Sequence, residues 1–525
     1  MRILSLYYGH DSSTCLLEDG QPIAVIEKER STRRRHDQGG MDLSALLERY
    51  GWDRDGIDLV VINPYVREDL DGQPGPDWEL KGELYTQRSD FHTPDLRCAA
   101  EDRYSRHQIR LLGRAYPCIA VDHHLGHLAT GYYTSPYASA TVLSADGGGD
   151  DRTLAAARAE HGRILDIEYG WGITRDGREM NIGSVWGSVG QHHLGYGRLE
   201  AAGKLMGLAP YGSARPELVD ALRTAAYTAP YAPLPAPLVL AGHLDAKEPL
   251  AQDLAASLQS LTTTAYLAAA ERLAAVFGAD HLVLSGGCSM NCVANTAVHT
   301  AGIFTDTFVP AQPSDCGLAL GQALFAWHHV LGEPFAPRTW TPYLGTDAGT
   351  PAPGLLEGAV DHLEQGLTVG VCVGRAENGA RALGHRSILA DPRDPAMTAR
   401  INDTIKHREG FRPFAPMVLE EDSATYFGAH VPSPYMSYTT TVTSPDLPAI
   451  THVDGSTRPQ IIARADQGAA RTILEAWKRR TGLGVLLNTS LNCQEPIVDT
   501  PDHAVATWRR SGLDVLVTPD DLHTK

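Results

Sequence analysis

The sequence predicts an α/β protein that contains a duplicated unit, followed by a linker and a smaller α/β domain. The first copy of the unit is the apolar run Arg2–Tyr8, the polar loop Gly9–Ser13 and a hairpin whose turn is Asp19-Gly20. The same order of strand, Asp/Gly loop and hairpin returns between Thr141 and Ile167. Duplicated units of this kind place a nucleotide in the cleft between their two phosphate loops.

A linker separates this double unit from the rest of the chain. Residues Glu333–Gly354 contain five prolines and three glycines with almost no apolar periodicity. Beyond them, Leu367–Val373 is a nearly continuous apolar run that predicts a buried strand. We therefore expect one domain over residues 1–340 and a second over residues 355–525.

The composition bounds the class of protein. With 525 residues, 43% hydrophobic and 21% charged, the chain is long enough for two or three globular domains. The net charge of −18 argues against a nucleic-acid partner, and no run approaches the roughly 20 apolar residues of a membrane span. The eight cysteines form no CxxC pair, and the first residues show no secretory signal. We expect a cytoplasmic protein with reduced thiols and no membrane association.

The first copy of the unit carries two candidate groups. His10 lies in the loop after the first strand, beside Asp11, and is either a proton acceptor or a bridge to the loop backbone. The run Lys28–His36 is the most basic short stretch of the chain. It is either a solvated surface or an anion site built on one of Arg33, Arg34 or Arg35, since guanidinium groups match phosphate geometry.

The stretch Cys118–Asp150 carries the clearest candidate site. His123 and His127 are four residues apart, so on a helix their imidazoles lie on one face. A second apolar run then delivers Asp146 into the glycines Gly147, Gly148 and Gly149, where backbone can approach a phosphate. Two imidazoles and a carboxylate suit a divalent transition metal such as iron. The alternative is that the histidines only cap and pack a helix.

Three regions outside the two copies of the unit and before the linker bear on ligand binding. Trp171–Gly197 is rich in glycine and aromatic residues and is expected to be a loop-rich region with little core. Lys204 lies between glycines and either reaches a phosphate or is solvated. The polar, irregular segment from about residue 69 to 101 is expected to be a surface excursion that shapes a substrate mouth.

A strand–glycine–helix junction follows a long helix that is predicted over Leu250–Phe277 and ends at Gly278. Ser285, Gly286 and Gly287 turn a short strand into the next helix, which exposes amides to a phosphate or ribose. Asp315, in a loop before another helix, is a free carboxylate.

Positive charge gathers in the second domain. Between Arg375 and Arg412 there are seven arginines and one lysine against five acids, on a glycine-rich stretch of a strongly acidic chain. This concentration predicts an anion site. The strand Leu483–Leu487 ends at Asn488-Thr489-Ser490, whose side chains can donate to a ligand.

These residues match a known family. The C-terminal motifs are GRAENGARALGHRSILADPR, IKHREGFRPFAP, THVDGSTRPQ, LNTSLN and EPIV, and the N-terminal ones are GHDSS, DHHLGH, SADGGGD, KLMGLAPYG, LSGGCSMNCVAN and PAQPSDCGLALG. Together they resemble the O-carbamoyltransferases of nodulation and antibiotic biosynthesis, over nearly the whole chain. The resemblance implies an actin/Hsp70-like N-terminal domain of the Kae type and a YrdC-like C-terminal domain.

The resemblance also implies an activity. An ATP-dependent O-carbamoyltransferase would convert carbamoyl phosphate and ATP, with Mg²⁺, into carbamoyl-adenylate in the C-terminal domain. The N-terminal domain would then transfer the carbamoyl group to a hydroxyl of a small natural product, with Fe(II) as the expected metal. The identity of the acceptor stays open, and so does the oligomeric state, for which a homodimer is one expectation.

The family's site residues fall on named positions of this sequence. The implied metal ligands are His123, His127, Asp146 and Asp315, and the implied catalytic residues are His10, facing the acceptor hydroxyl, and Arg35. The nucleotide would lie against Gly147, Gly148, Gly149, Lys204, Ser285, Gly286, Gly287 and Asn291. Carbamoyl phosphate would be bound by Arg375, Arg381, Arg386, Lys406, Arg408 and Asn488.

Two other functions share parts of this pattern. A tRNA threonylcarbamoyl-type transferase would share the N-terminal fold but should carry a broad basic face, whereas this chain is acidic. A non-enzymatic, nucleotide-gated binding protein would need no second anion domain.

Overall fold

The structure is a computed structural model that describes residues 1–63, 78–80, 97–150, 152–172, 174–175, 178–234, 243–428 and 432–525. Most of the expected surface excursion between residues 69 and 101 lies outside the described residues. In chain order the strands are β1 (Arg2–Tyr7), β2 (Ser13–Glu18), β3 (Gln21–Glu27), β4 (Leu59–Ile62), β5 (Trp78–Leu80), β6 (Arg97–Ala99), β7 (Tyr104–Leu111), β8 (Arg114–Val121), β9 (Ser139–Gly149), β10 (Arg152–Glu160), β11 (Arg163–Tyr169), β12 (Thr174–Arg175), β13 (Arg178–Glu179), β14 (His281–Ser285), β15 (Asp306–Phe308), β16 (Val369–Cys372), β17 (Arg386–Ala390), β18 (Ala415–Leu419), β19 (Thr440–Thr441), β20 (Ser456–Thr457), β21 (Gln460–Ile462), β22 (Val485–Ser490), β23 (Val515–Val517) and β24 (Leu522–Thr524).

The helices, in the same order, are α1 (Lys28–Thr32), α2 (Leu43–Arg49), α3 (His123–Thr134), α4 (Ile182–Leu194), α5 (Ala201–Leu208), α6 (Pro216–Thr228), α7 (Pro249–Phe277), α8 (Cys292–Thr300), α9 (Leu318–Phe325), α10 (Leu355–Glu364), α11 (Met397–Ile401), α12 (Ser423–Phe427), α13 (Ala469–Thr481) and α14 (Pro501–Arg510). None of the described helices is long and apolar enough to cross a membrane.

Two sheets repeat one topology. In the first, β3, β2 and β1 are antiparallel neighbours, and β1 continues in parallel to β4 and β8. In the second, β11, β10 and β9 are antiparallel, and β9 continues in parallel to β14 and β15. The predicted duplication is therefore confirmed, and this half of the chain has the duplicated α/β architecture of the actin/Hsp70 type.

Helices α3 and α9 lie between the two sheets and pack on each other. Every residue of α3 is buried, and Gly126 lets α9 approach closely: a Cβ there would lie 2.8 Å from the side chain of Leu318. The N-terminal part of α3 and Asp315, just before α9, meet near the ends of β1 and β9, since His127 contacts Asp146 and Asp315 and Tyr7 contacts Asp315. The candidate site lies at this point.

The third sheet forms the second domain, in the order β21-β18-β22-β17-β16-β23-β24. Apolar side chains cover both of its faces. The predicted linker has no helix or strand, but it is tied to both halves, since Val25 N donates to Leu344 O (2.9 Å) and Tyr343 stacks on His385 with ring centroids 3.8 Å apart. The likeness to a YrdC fold and the boundaries at 340 and 355 stay predictions.

The expectation of little core in Trp171–Gly197 is wrong. This region contains α4, and the indole of Trp171 is 1% exposed. Glycines are needed here for close packing rather than for loops: a Cβ on Gly183 would lie 2.7 Å from Gly147 N. Helix α4 thus begins directly against the glycine run that follows Asp146.

Candidate active site

The start of α3 positions two histidines. The side chain of Asp122 accepts a hydrogen bond from Leu125 N (2.9 Å) and so caps the helix, while Arg103 donates to the same carboxylate (2.7 Å). One turn apart, His123 and His127 bring their Nε2 atoms within 3.1 Å of each other. The predicted i, i+4 arrangement is present, and both rings are buried.

Two carboxylates from distant parts of the chain complete the group that we call the His–Asp site, formed by His123, His127, Asp146 and Asp315. His127 Nε2 lies 3.2 Å from Asp146 Oδ2 and 3.2 Å from Asp315 Oδ1. Gly287 N donates to Asp146 Oδ2 (2.7 Å), which fixes that side chain at the end of β9. One ligand atom from each of the four residues lies within 4.8 Å of the others, and all four residues are buried.

The donor set of the His–Asp site fits a divalent metal ion. Two imidazole nitrogens and two carboxylates lie close to one point, and this mixture of nitrogen and oxygen donors suits iron and similar ions. Burial lowers the pKa of His127, but hydrogen bonds that its ring donates to Asp146 and Asp315 outweigh this effect and raise the pKa to about 9. Burial lowers the pKa of His123. The two Nε2 atoms face each other and the two carboxylates, so all four residues can offer a ligand atom to one ion.

His10 lies at the edge of the His–Asp site. Its Nδ1 is 3.0 Å from Asp11 Oδ2, and its Nε2 is 3.4 Å from Asp315 Oδ2 and makes no hydrogen bond within the described residues. The charge of Asp315 is the main reason that the pKa of His10 rises, to about 10. Tyr7 also donates to Asp315 Oδ2, a contact that the sequence analysis missed although Tyr7 precedes the His10 loop.

Glycines at two strand ends surround the same point. A Cβ on Gly149 would lie 2.2 Å from the ring of His123, and a Cβ on Gly286, at φ +80°, would lie 2.2 Å from Ala145 O. Ser184 Oγ donates to Gly147 O (2.7 Å), so α4 holds the glycine run. The structure therefore brings Gly147, Gly148 and Gly149 together with Gly286 and Gly287 beside the His–Asp site.

Three predicted nucleotide ligands have other partners. Ser285 Oγ donates to His127 O (2.7 Å), and Asn291 caps α8 while it exchanges hydrogen bonds with Gln259. Lys204 Nζ pairs with Glu409 (2.8 Å) and lies over the ring of Tyr196. The tertiary fold thus joins Lys204 to the second domain rather than leaving it for a phosphate.

Six cationic side chains gather where the second domain meets α5 of the first. Mutual repulsion, after burial, lowers the pKa values of several of them. Arg412 contacts α5, since a Cβ on Gly207 would lie 3.8 Å from its Cδ. We call this group the cation cluster; its members are Arg35, Arg381, Lys406, Arg408, Arg412 and Arg458.

Most of the cation cluster lacks acidic partners. Arg35 pairs with Glu200 (3.1 Å), and Arg412 with Glu409 (3.8 Å). Lys406 instead donates to Asn492 Oδ1 (2.7 Å) and to Ser490, while Arg381 has no hydrogen bond or ion pair within the described residues. Cations that are buried or half-buried and lack counter-ions favour an anionic ligand.

Arg386, Arg375 and Asn488 do not fit the predicted carbamoyl-phosphate site. The guanidinium of Arg386 is fully buried and donates to five backbone carbonyls, so it has no donor left for a ligand. Arg375 Nη2 donates to the carbonyls of Ile23 and Leu344 (2.7 Å each). The Asn488 amide donates to Ala382 O and Gln460, which leaves only an acceptor, Oδ1, without a partner. Arg386 and Asn488 thus stabilise the second domain, and Arg375 joins it to β3 and to the linker.

Sequence reasoning missed Arg412 and Arg458 as members of the cation cluster. Both lie in quoted motifs, Arg412 in FRPFAP and Arg458 in STRPQ. An arginine before a proline in a family motif was the available signal. The cluster also receives Arg35, which we had placed with His10 as catalytic; its neighbour His36, not Arg35, contacts the His10 loop.

Two family models match this chain. Residues 2–75 and 111–324 match the model described as the carbamoyltransferase N-terminus, and residues 360–525 match the carbamoyltransferase C-terminus. The matched residues include the His–Asp site and every member of the cation cluster. Together they cover well over half of the chain.

Relatives over the full length agree. Nodulation protein NolNO of Sinorhizobium fredii is 31% identical, with 97% of this chain and 78% of that protein covered. Nodulation protein U of Bradyrhizobium diazoefficiens is 29% identical, with 94% and 92% covered. Among solved structures, an activator of 2-hydroxyisocaproyl-CoA dehydratase from Clostridium difficile with bound ADPNP aligns at a TM-score of 0.34 and 14% identity, over 62% of this chain and 94% of that one, a score too low to carry an argument. The chain is an enzyme and belongs to the carbamoyltransferase family.

Proposed function

We propose that this enzyme is an ATP-dependent O-carbamoyltransferase that uses carbamoyl phosphate, proceeds through carbamoyl-adenylate and modifies a hydroxyl of a small natural product. The acceptor belongs to the small hydroxylated molecules, with no nucleic acid and no membrane as partner, and the location is the cytoplasm. Antibiotic biosynthesis is one setting for such a product.

The cation cluster is the observation that carries the proposal. Carbamoyl phosphate and the ATP triphosphate are both multiply charged anions, and four of the six cations have no carboxylate partner among the described residues. Since Arg381 and Lys406 are buried or half-buried, an anion there would gain strong charge-assisted hydrogen bonds. A site for one small neutral ligand would not require this charge.

The first half-reaction is assigned to this cluster. Carbamoyl phosphate is cleaved by water to carbamate and phosphate, and a carbamate oxygen then attacks the α-phosphorus of ATP. The bond to the β-phosphate oxygen breaks, and pyrophosphate leaves with the electron pair. Arg381, Lys406 and Arg408 would hold the phosphoryl oxygens in line, which is most of what phosphoryl transfer asks of a protein.

The second half-reaction is assigned to the His–Asp site. The acceptor oxygen bonds to the carbamoyl carbon, the bond from that carbon to the adenylate oxygen breaks, and AMP leaves. His10 Nε2 takes the hydroxyl proton, and Asp11 holds the ring through Nδ1. His10 can accept this proton only where the charge of Asp315 is offset, because that charge raises the pKa of His10.

A divalent ion, with Fe(II) as our candidate, would be held by the four residues of the His–Asp site and would supply Lewis acidity toward a carbonyl or phosphate oxygen. It would also offset the charge of Asp315. Mg²⁺ would accompany ATP. The backbone amides that bind the nucleotide would be those of Gly147, Gly148 and Gly149, with Gly286 and Gly287. The Lys204 side chain would not bind it.

Exchange of labelled pyrophosphate into ATP tests the proposal. We expect exchange that requires carbamoyl phosphate, and carbamoylated products when sugars, macrolides, aminoglycosides and amino alcohols are screened by mass spectrometry. A nucleotide-gated binding protein would give no exchange, and a threonylcarbamoyl-type enzyme would require threonine and bicarbonate instead of carbamoyl phosphate. Either result would overturn the proposal.

A further inference from the structure

The loop after α1 reaches the transfer site through one side chain. His36 Nδ1 lies 2.8 Å from Asp11 Oδ1, and the other oxygen of the same carboxylate lies 3.0 Å from His10 Nδ1. One carboxylate therefore bridges two imidazoles that are 26 positions apart in sequence. Asp11 is half-buried, and both contacts are at full hydrogen-bond distance.

The backbone at both ends of this bridge is held in an uncommon conformation. Asp11 has φ +59° and His36 has φ +53°, in the left-handed region that residues with a Cβ rarely adopt. Such conformations persist only where the surrounding structure enforces them, and they concentrate at functional sites. The fold therefore maintains backbone strain at Asp11 and His36, and in this conformation their two side chains face each other.

Hydrogen bonds that involve Ser12 and Glu29 hold the backbones of the His10 and His36 loops in place. Ser12 N donates to Asp37 O (3.1 Å), and Ser12 Oγ donates to Gly39 O (2.7 Å), so the His10 loop and the His36 loop are joined along their backbones. His36 N donates to Glu29 Oε2 (2.9 Å), which anchors the second loop to α1. Because the backbones of both loops are fixed, the side chain of His36 can hold the carboxylate of Asp11 in one orientation.

We propose that His36 is a positioning residue for the transfer half-reaction. It holds Asp11 at one oxygen so that the other oxygen keeps His10 Nδ1 in place, with Nε2 turned toward the side of Asp315. An Asp11 without His36 is free to rotate, and His10 then loses its fixed orientation. This inference rests on the proposed function, and it adds a residue that neither motif spacing nor the family's ligand set assigns.

Two variants of His36 test the inference. His36→Phe keeps a ring of similar size but removes the donor, whereas an asparagine places its amide nitrogen near the position of Nδ1. Gln38→Ala is the matched control, because Gln38 is exposed in the same loop and its side chain has no contact with Asp11 among the described residues. All three are compared with the full-length enzyme.

Methanol serves as the acceptor probe, because it can reach any hydroxyl site, and methyl carbamate is measured by mass spectrometry. We expect His36→Phe to lower kcat for methyl carbamate about 10- to 100-fold, as removal of an orienting partner typically does. KM for methanol and pyrophosphate exchange should not change. His36→Asn should recover most of the rate, and Gln38→Ala should match the wild type.

Crystal structures of the wild type and the variants test the inference independently of any activity measurement. In His36→Phe the distance from His10 Nδ1 to Asp11 should lengthen beyond hydrogen bonding or the His10 ring should turn, and His36→Asn should restore it. An unchanged His10 geometry, an unchanged transfer rate, or equal loss of both half-reactions without rescue by asparagine overturns the inference. A wild-type enzyme without carbamoyl-phosphate-dependent exchange overturns the proposed function instead, and the structural comparison still decides the role of His36.

Discussion

The His–Asp site and the cation cluster are both groups of charged side chains, the first buried and the second mostly half-buried, and their charges are balanced in opposite ways. At the His–Asp site two carboxylates face two imidazoles, and burial is offset by pairs such as His127 with Asp146 (3.2 Å). In the cation cluster, burial lowers the pKa values of Arg381 and Arg408, and in each case the largest effect of a neighbouring charge is a further lowering by another arginine. The donor set of the first group suits a cation, and the excess positive charge of the second suits an anion.

This difference shows that a buried or half-buried charge can have either of two roles in one protein: it can hold the fold together, or it can be available to a ligand. Arg386 is as buried as any member of the cation cluster, yet its five carbonyl acceptors make it a structural crosslink. Arg381 has no such partners in the described part of the chain. Whether a charge awaits a ligand is decided by what its hydrogen-bonding atoms already contact.

The largest expected effect is on metal content. In His123→Ala with His127→Ala, the His–Asp site loses both imidazoles, and bound metal should fall from about one ion per chain to near zero. Elemental analysis of anaerobically purified protein measures this. His124→Ala, in the same buried turn of α3, is the control. Full metal content in the double variant would show that the site holds no ion.

The second largest expected effect is on carbamoyl transfer by a His10 variant, because His10 acts in only one of the two proposed half-reactions. His10→Asn should lower carbamoyl transfer by roughly 10²–10⁴-fold, the usual contribution of a positioned base. Pyrophosphate exchange should continue, since the cation cluster is untouched. AMP and carbamoylated product are followed separately, with His192→Asn on the exposed face of α4 as the control. Loss of both half-reactions together would remove His10 from the role of base.

Arg386 and Arg381 separate a crosslink from a ligand. Arg386→Ala removes the donors of five backbone carbonyls, three of them in buried hydrogen bonds, and should lower the free energy of unfolding of the second domain by about 3–5 kcal/mol. Arg381→Ala removes mutual repulsion, so stability should be unchanged or rise. Urea denaturation of both variants makes the comparison, and similar losses of stability in the two would contradict it.

Arg381 should instead affect binding. Loss of one charge-assisted contact costs about 1.5–3 kcal/mol, so the affinity of Arg381→Ala for carbamoyl phosphate should fall about 10- to 150-fold. Arg479→Ala, an exposed arginine at the end of α13, is the control. An unchanged affinity would place the anion elsewhere.

The smallest expected effect is stabilisation by a simple anion. Pyrophosphate should raise the Tm by a few degrees, because an anion in the cation cluster binds only the folded state; at about 100 times Kd the gain is about 2.7 kcal/mol. Thermal unfolding of the wild type and of Lys406→Met measures it, with sodium chloride at equal ionic strength as the control. An equal shift in Lys406→Met would mean that the cluster is not where pyrophosphate binds.

The sequence by itself determined the duplicated unit, the helix that carries His123 and His127, and the glycines beside Asp146. These features follow from local periodicity, from i, i+4 spacing and from the backbone freedom of glycine, all of which are readable over a few residues. The long helix that ends at Gly278 was predicted for the same reason: Gly278 has φ +65° and caps α7 in the left-handed conformation.

Only the tertiary structure decided which charges have partners. The acceptors of Arg386 come from Thr346, Val373 and Asp499, and Lys204 meets Glu409 from another domain. No local pattern reports such contacts, because charge and hydrogen-bonding capacity are properties of a residue whereas their satisfaction is a property of the fold. The bridge from His36 through Asp11 to His10 was hidden in the sequence for the same reason.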